Sequence, residues 1–122
     1  MRIKPLHLSH SAGSSDGGIA TAVSQLLTAQ QRDSMLARWI TADQYQPLNR
    51  DHHLIDAIRA LDIELIHAHG LWRSATRVLK SSRLSNLPMI ISPHGMLDEW
   101  AMAYSPWKKW IVWQLWESYA MN

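Results

Sequence analysis

ELIHAHGLW (64–72) and PMIISPHGML (88–97) are the two stretches that decide the fold. Each contains a short apolar run that stops at a histidine followed by a glycine, His69-Gly70 in the first and His94-Gly95 in the second. Short apolar runs bounded by turn formers are typical of buried strands. We therefore predict buried strands at 63–67 and 88–92, each followed directly by a loop that carries a histidine.

The rest of the chain alternates between the same two kinds of pattern. Two further strands are predicted, at 2–8 and 35–41, and Pro5 suits a strand start or edge better than a strand centre. Apolar positions at helical spacing predict helices at 19–31, 53–61, 74–83 and 106–119. Strands that alternate with helices form a parallel sheet covered on both faces. The expected fold is a Rossmann-like three-layer α/β domain with a mostly parallel sheet of about four strands.

The composition excludes several classes of protein. The 122 residues are enough for one small domain, and 47% hydrophobic with 18% charged residues describe a globular chain. A net charge of +2 provides no basic stripe for nucleic acid, and without cysteine there is no disulfide or thiolate zinc site. The N-terminus lacks the apolar region of a signal peptide, and no run approaches the roughly 20 apolar residues of a membrane span. We expect a cytoplasmic protein.

Three predicted loops should meet at one edge of the sheet. They cover 9–18, 67–72 and 92–98, and each follows the carboxyl end of a strand. In open α/β sheets, ligands bind in the crevice outside these carboxyl ends. The glycines let the backbone approach a ligand closely, and the histidines can hydrogen-bond or polarise it. The sequence therefore predicts a ligand site at this edge.

Three stretches together resemble the N-terminal domain of a family-4 glycosyltransferase of the GT-B fold. They are RIKPLHLSHSAGSSDGGIATAV (2–23), ELIHAHGLW (64–72) and LPMIISPHGMLDEWAMAYSPWKKWIVWQLWE (87–117). The third stretch is the most specific, because a strand, SPHGML, a tryptophan and a Pro-Trp-Lys-Lys helix follow each other in bacterial members that build surface polysaccharides. The segment 32–62 is similar in pattern only.

The resemblance implies that 1–122 is the acceptor-side half of a GT-B enzyme, truncated, without the C-terminal donor domain. The implied enzyme is a retaining hexosyltransferase that needs no cofactor. It would move a sugar from a nucleotide-sugar to a polysaccharide or lipid-linked acceptor. Most donor contacts in this family lie in the second domain, so we expect the isolated chain to transfer sugar poorly.

The resemblance also assigns roles to individual residues. The matching histidine of the family lies against the transferred sugar, which makes His94 the candidate catalytic residue, with Gly95 beside it. His69 and Gly70 would shape an acceptor pocket. In SSDGG (14–18), Gly17 and Gly18 offer backbone amides at a helix start, and such amides suit a phosphate of the donor. The alternative for each loop is a plain turn without a ligand.

The pair His67 and His69 permits a different hypothesis. Residues i and i+2 on a strand point the same way, so the two imidazoles could bind one metal ion. Zinc would need a third ligand, for which His94 and Asp98 are candidates. The alternative function is then a metal-dependent hydrolase built on His67, His69 and His94.

Tryptophans recur every three residues in the last predicted helix, beside two lysines: Trp107, Trp110, Trp113 and Trp116, with Lys108 and Lys109. Such a broad apolar stripe usually faces a core. Tryptophan with lysine also suits a membrane interface. A further hypothesis is therefore self-association or peripheral contact with the inner face of the membrane through Trp110, Trp113 and Trp116. On this view the chain would be a non-catalytic membrane- or partner-binding fragment.

Overall fold

The computed structural model describes residues 3–13, 18–70 and 73–94. Its four strands form one sheet in which every pairing is parallel. The strands are β1 (Pro5–Ser9), β2 (Arg38–Thr41), β3 (Leu65–His69) and β4 (Met89–Ser92), in the spatial order β2-β1-β3-β4. The expected α/β class with about four parallel strands is confirmed. Pro5 is the first residue of an interior strand, where its missing N–H is tolerated.

Three α-helices connect the strands: α1 (Gly18–Arg32), α2 (Arg50–Arg59) and α3 (Ser74–Arg77). The prediction of one helix over 74–83 is wrong, because α3 ends at Arg77 and two 3-10 turns follow, Val78–Lys80 and Ser82–Leu84. Ser81 separates these turns with extended backbone, and its hydroxyl accepts a hydrogen bond from the Arg83 amide. The local bond of Ser81 competes with helix continuation. The helix predicted at 106–119 lies outside the described residues.

One face of the sheet, here called the apolar face, carries the hydrophobic core. It is formed by Leu6, Leu8, Ile66 and Ala68, all of which are 0% exposed. Leu54 and Ile58 of α2 pack against it, together with residues of α3 and the turns that follow. The spacing of these core positions in β1 and β3 is the period of two expected for strands.

The opposite face, here called the histidine face, is polar at its centre. It carries His7, Ser9, His67, His69 and Ser92, because alternate residues of β1, β3 and β4 point away from the apolar face. His7 pairs in register with His67, and His69 pairs with Ser92. His7 and Ser9 are fully buried. Helix α1 reaches this face through Gln30, which contacts His7.

An ion pair joins the two helical elements that cover the apolar face. Arg77 of α3 donates two hydrogen bonds to the Asp51 carboxylate of α2. Burial alone would raise the pKa of Asp51, but hydrogen bonds from Arg77 and Ser74 and the charge of Arg77 outweigh it and lower the pKa. The pair therefore holds Asp51 ionised and fixes α2 beside α3.

Candidate functional site at the carboxyl edge of the sheet

All four strands of the parallel sheet end at the same edge. Three of these ends form the candidate site, Ser9 of β1, His69 of β3 and Ser92 of β4. The strand order places β1 and β3 side by side at the centre. The chain leaves β1 towards α1 and leaves β3 towards α3, so the two connections diverge. This topological switch point is where open α/β sheets bind ligands. The described parts of the three predicted loops therefore share one edge.

A chain of hydrogen-bonded side chains runs from α1 across the histidine face to this edge. His7 Nε2 lies 2.6 Å from Gln30 Oε1, and His7 Nδ1 lies 3.0 Å from His69 Nε2. His69 Nδ1 in turn lies 2.8 Å from His94 Nε2. Since the Gln30 carbonyl oxygen can only accept, His7 donates to it, and with neutral rings His69 donates to His7 and His94 donates to His69. This order leaves Nδ1 of His94 as an acceptor.

His67 completes the cluster on the β4 side. Its ring stacks on that of His69 with a centroid separation of 4.0 Å, and its Nε2 lies 2.7 Å from the Ser92 hydroxyl. The H-x-H spacing brings the rings of His67 and His69 together, because both side chains project from the same side of β3. Each histidine of β3 therefore faces a polar neighbour on an adjacent strand, His7 for His67 and Ser92 for His69.

The environment keeps two of these rings neutral. Burial, followed by the neighbouring imidazoles, lowers the pKa of His69 from 6.5 to about 3. The same two causes lower the pKa of His67 to about 4. A neutral imidazole offers one donor and one acceptor, and it is also the form that binds metal ions. At neutral pH both rings can therefore act as hydrogen-bonding groups or as ligands.

Two residues at this edge adopt the left-handed backbone region. Gly70 has φ 84°, and its amide donates to the Ser92 carbonyl at 2.9 Å. His94 has φ 53°, which is uncommon for a residue with a side chain. Its side chain is exposed while its Nε2 is held by His69. Such backbone strain is enriched at ligand sites, and outside this edge Ser34 and Asn49 have it as well.

A shallow groove lies beside the start of α1. Its lining includes Gly13, Thr21, Ser24 and Trp39. The Trp39 indole N–H donates to the Ser9 hydroxyl at 2.9 Å, which fixes the ring at the carboxyl end of β1. Gly18 is the exposed first residue of α1, and a Cβ added there would meet no described heavy atom within 4 Å. A side chain at this position would therefore meet no described part of the protein.

The structure brings together three of the residues predicted for the site and places a fourth at the start of α1. His69, Gly70 and His94 are in one cluster, linked by the bonds described above. Gly18 begins α1. The remaining predicted residues lie outside the described part of the chain: Gly17, Gly95, Asp98 and the tryptophans 110, 113 and 116.

His7 is the site residue that the sequence analysis missed. It lies at the centre of β1, for which the sequence predicted a strand but no site residue. The alternating pattern could have identified it. His7 lies between Leu6 and Leu8 in β1, as His67 lies between Ile66 and Ala68 in β3. The parallel register then places the two histidines side by side.

One nitrogen from each of His7, His67 and His69 lies within 4.8 Å of the other two. In the described residues this is the group of side chains close enough to hold a metal ion together. His7 thus occupies the position for which His94 and Asp98 were considered. His94 contacts the group from outside, through His69.

Comparisons of the chain with protein-family models, with curated proteins and with solved structures find no match. Among the residues that the structure describes, no helix is long and apolar enough to cross a membrane.

Proposed function

We propose that this chain is the acceptor-side domain of a retaining glycosyltransferase with GT-B architecture. The observation that carries the proposal is the meeting of His69, Gly70 and His94 at the carboxyl edge, beside the switch point between β1 and β3. These are the positions that the resemblance associates with the acceptor pocket and the transferred sugar. The parallel α/β fold supports the same class.

The hydrogen-bond chain defines what His94 would do. Its Nε2 is occupied by His69, so Nδ1 is the nitrogen that remains for a ligand. In the neutral chain this nitrogen accepts a hydrogen bond from a sugar hydroxyl. His69, itself oriented by His7 and Gln30, keeps the ring in place while the sugar is bound. Orientation of this kind contributes to transfer by holding reactants in a productive geometry.

The groove at the start of α1 would receive the polar end of a substrate. Backbone amides at a helix start favour phosphate oxygens, and Gly18 is the first residue of α1. In the proposed reaction an acceptor hydroxyl forms a bond to the anomeric carbon, the bond from that carbon to the nucleoside diphosphate breaks, and the hydroxyl proton passes to the departing phosphate. By resemblance, the cationic partners of that phosphate belong to the donor domain.

Ligand titration followed by NMR tests the proposal on the 122-residue chain. UDP-glucose, GDP-mannose and a series of short glycans are added separately to ¹⁵N-labelled protein. We expect amide shifts at Gly70 and His94 with a glycan, and at Gly18 with a nucleotide-sugar. His94→Gln should weaken the glycan response at Gly70, whereas His53→Gln, at an exposed histidine of α2, should leave it unchanged.

The proposal fails if saturating amounts of all these probes shift no amide at the carboxyl edge. It also fails if His94→Gln and His53→Gln respond identically to every glycan. Circular dichroism of both variants establishes that the comparison is made between folded proteins.

A further inference from the structure

The histidine face has an unusual content for the interior of a parallel sheet. Strands buried on both faces normally carry apolar residues on both. Here the central positions of β1 and β3 carry imidazoles, and His7 and His69 are 0% and 3% exposed. Burial of polar rings is unfavourable unless their nitrogens are satisfied. The arrangement of those nitrogens indicates what satisfies them.

Two of the nitrogens face each other directly. His7 Nδ1 and His69 Nε2 are 3.0 Å apart, so with neutral rings one of them donates to the other. Two ligands at about 2.0–2.1 Å from a tetrahedral zinc ion lie roughly 3.3 Å apart. An ion between these two nitrogens therefore requires them to separate by only a few tenths of an ångström. The third imidazole, His67, is stacked beside His69, and one of its nitrogens lies within 4.8 Å of the other two ligand nitrogens.

The outer nitrogen of each ring already has a partner. His7 Nε2 is held by the Gln30 carbonyl oxygen, His69 Nδ1 by His94 and His67 Nε2 by the Ser92 hydroxyl. With an ion in the cluster, His69 would carry its proton on Nδ1 and donate it to His94 Nε2, and His94 would carry its own proton on Nδ1. Histidines that bind metals typically donate their second N–H in this way, which fixes the ring and its tautomer. Within the described ranges, this leaves one nitrogen of each ring for the interior of the cluster.

We propose that His7, His67 and His69 bind one divalent zinc-class ion through His7 Nδ1, His69 Nε2 and the nitrogen of His67 that Ser92 does not hold. Three neutral imidazoles match zinc, copper, nickel or cobalt and do not match magnesium or calcium, which require oxygen ligands. With three protein ligands, the fourth position of a tetrahedral ion stays open to water or another small ligand. The site shares His7 and His69 with the proposed function, but zinc binding is tested without any sugar.

The low pKa values of His67 and His69 agree with this assignment. Since both rings are neutral at pH 7, binding of an ion needs only a change of tautomer in His69 and His94, with no net loss of a proton.

Metal titration of the untagged, chelator-treated chain tests the site. Zinc chloride is followed by isothermal titration calorimetry, and cobalt(II) by its visible absorption, which reports tetrahedral nitrogen coordination. We expect one ion per chain, a rise in melting temperature with zinc and no response to magnesium chloride. His67→Gln and His69→Gln should each weaken zinc binding at least tenfold. His53→Gln is the matched surface control and should bind as the unmodified chain does.

A variant at Gln30, which orients His7, tests the site without removing a ligand. Gln30→Met removes the acceptor of His7 Nε2 without touching a ligand, so zinc should bind about 10–100-fold more weakly with the stoichiometry unchanged. Circular dichroism verifies that each variant is folded. If His69→Gln does not fold, zinc binding by His67→Gln and Gln30→Met tests the proposal.

The proposal is overturned if the folded, unmodified chain binds no zinc or cobalt. It is equally overturned if binding survives in His67→Gln and disappears in His53→Gln, because the ion would then occupy the surface of α2. Zinc binding with no response to sugars would leave this site intact and contradict only the proposed function.

Discussion

The apolar face and the histidine face are made by the same strands, yet they bury opposite kinds of side chain. On the apolar face, Leu6, Leu8 and Ile66 pack against helices, and other apolar residues of similar volume would be tolerated there. On the histidine face, each ring depends on particular partner atoms. The apolar face therefore stabilises the sheet, and the rigid sheet in turn positions the polar groups of the histidine face.

Breaking the apolar face should have the largest effect. Leu8 is 0% exposed at the centre of the core, so Leu8→Ala should lower the free energy of unfolding by about 2–5 kcal/mol. Urea denaturation provides the measurement. Leu48→Ala, at a position 80% exposed, is the control and should change stability by less than about 0.5 kcal/mol. Equal losses in the two variants would contradict the assigned core.

The second-largest effect on stability is expected from low pH, which protonates the histidine face. His67 and His69 have pKa values of about 4 and about 3 in the folded chain and an ordinary value of 6.5 when unfolded. Below pH 6.5 the unfolded chain therefore binds more protons, and stability should fall as the pH decreases from 6.5 towards 4. Above pH 7 these two groups should contribute no pH dependence.

Denaturation curves at several pH values measure this effect. The window from pH 6.5 to 4.5 separates the histidines from Asp51, whose lowered pKa matters only in more acidic solution. His69→Gln should flatten the slope in this window, and His53→Gln should not. Stability that stays constant from pH 7 to 4.5 in the unmodified chain would show that the rings are not held neutral.

Alanine substitutions at two glycines, Gly70 and Gly18, should affect stability differently. Gly70 has φ 84°, so Gly70→Ala should cost about 1–2 kcal/mol of stability. Gly18 begins α1 with open space around it, so Gly18→Ala should leave stability unchanged or raise it by a few tenths of a kcal/mol. Thermal melting distinguishes the two. A strongly destabilised Gly18→Ala would show that the start of α1 is packed.

The smallest effect is expected at the rim of the apolar face. Asp51→Asn removes the charge that pairs with Arg77, and both side chains are about one-third exposed, at 33% and 35%. Solvent screening limits the loss to about 0.5–1 kcal/mol. Urea denaturation at low and at high salt measures it, and the difference from the unmodified chain should shrink as salt is added. A loss that is independent of salt would point to packing instead.

Much of the fold could be predicted because its signals are local. The apolar runs located all four strands to within a few residues, and the alternation with helices gave the parallel class. The α-helix over 74–83 was over-extended, because the turn made by Ser81 competes with helical hydrogen bonds through a single side chain. Of the candidate site, His69, Gly70 and His94 were identified from strand ends, while Gly17 and Gly95 lie outside the described residues.

The sequence by itself determined which residues of each strand share a face, because alternate side chains must point to opposite sides. It also placed His69-Gly70 and His94 at strand ends. Only the tertiary structure decided that His7 contacts His69, although the two are 62 residues apart. Pairing of parallel strands is set by packing of the helices between them, and no local pattern encodes the register. The cluster forms because burial of Leu6, Leu8 and Ile66 on one face forces the intervening histidines together on the other.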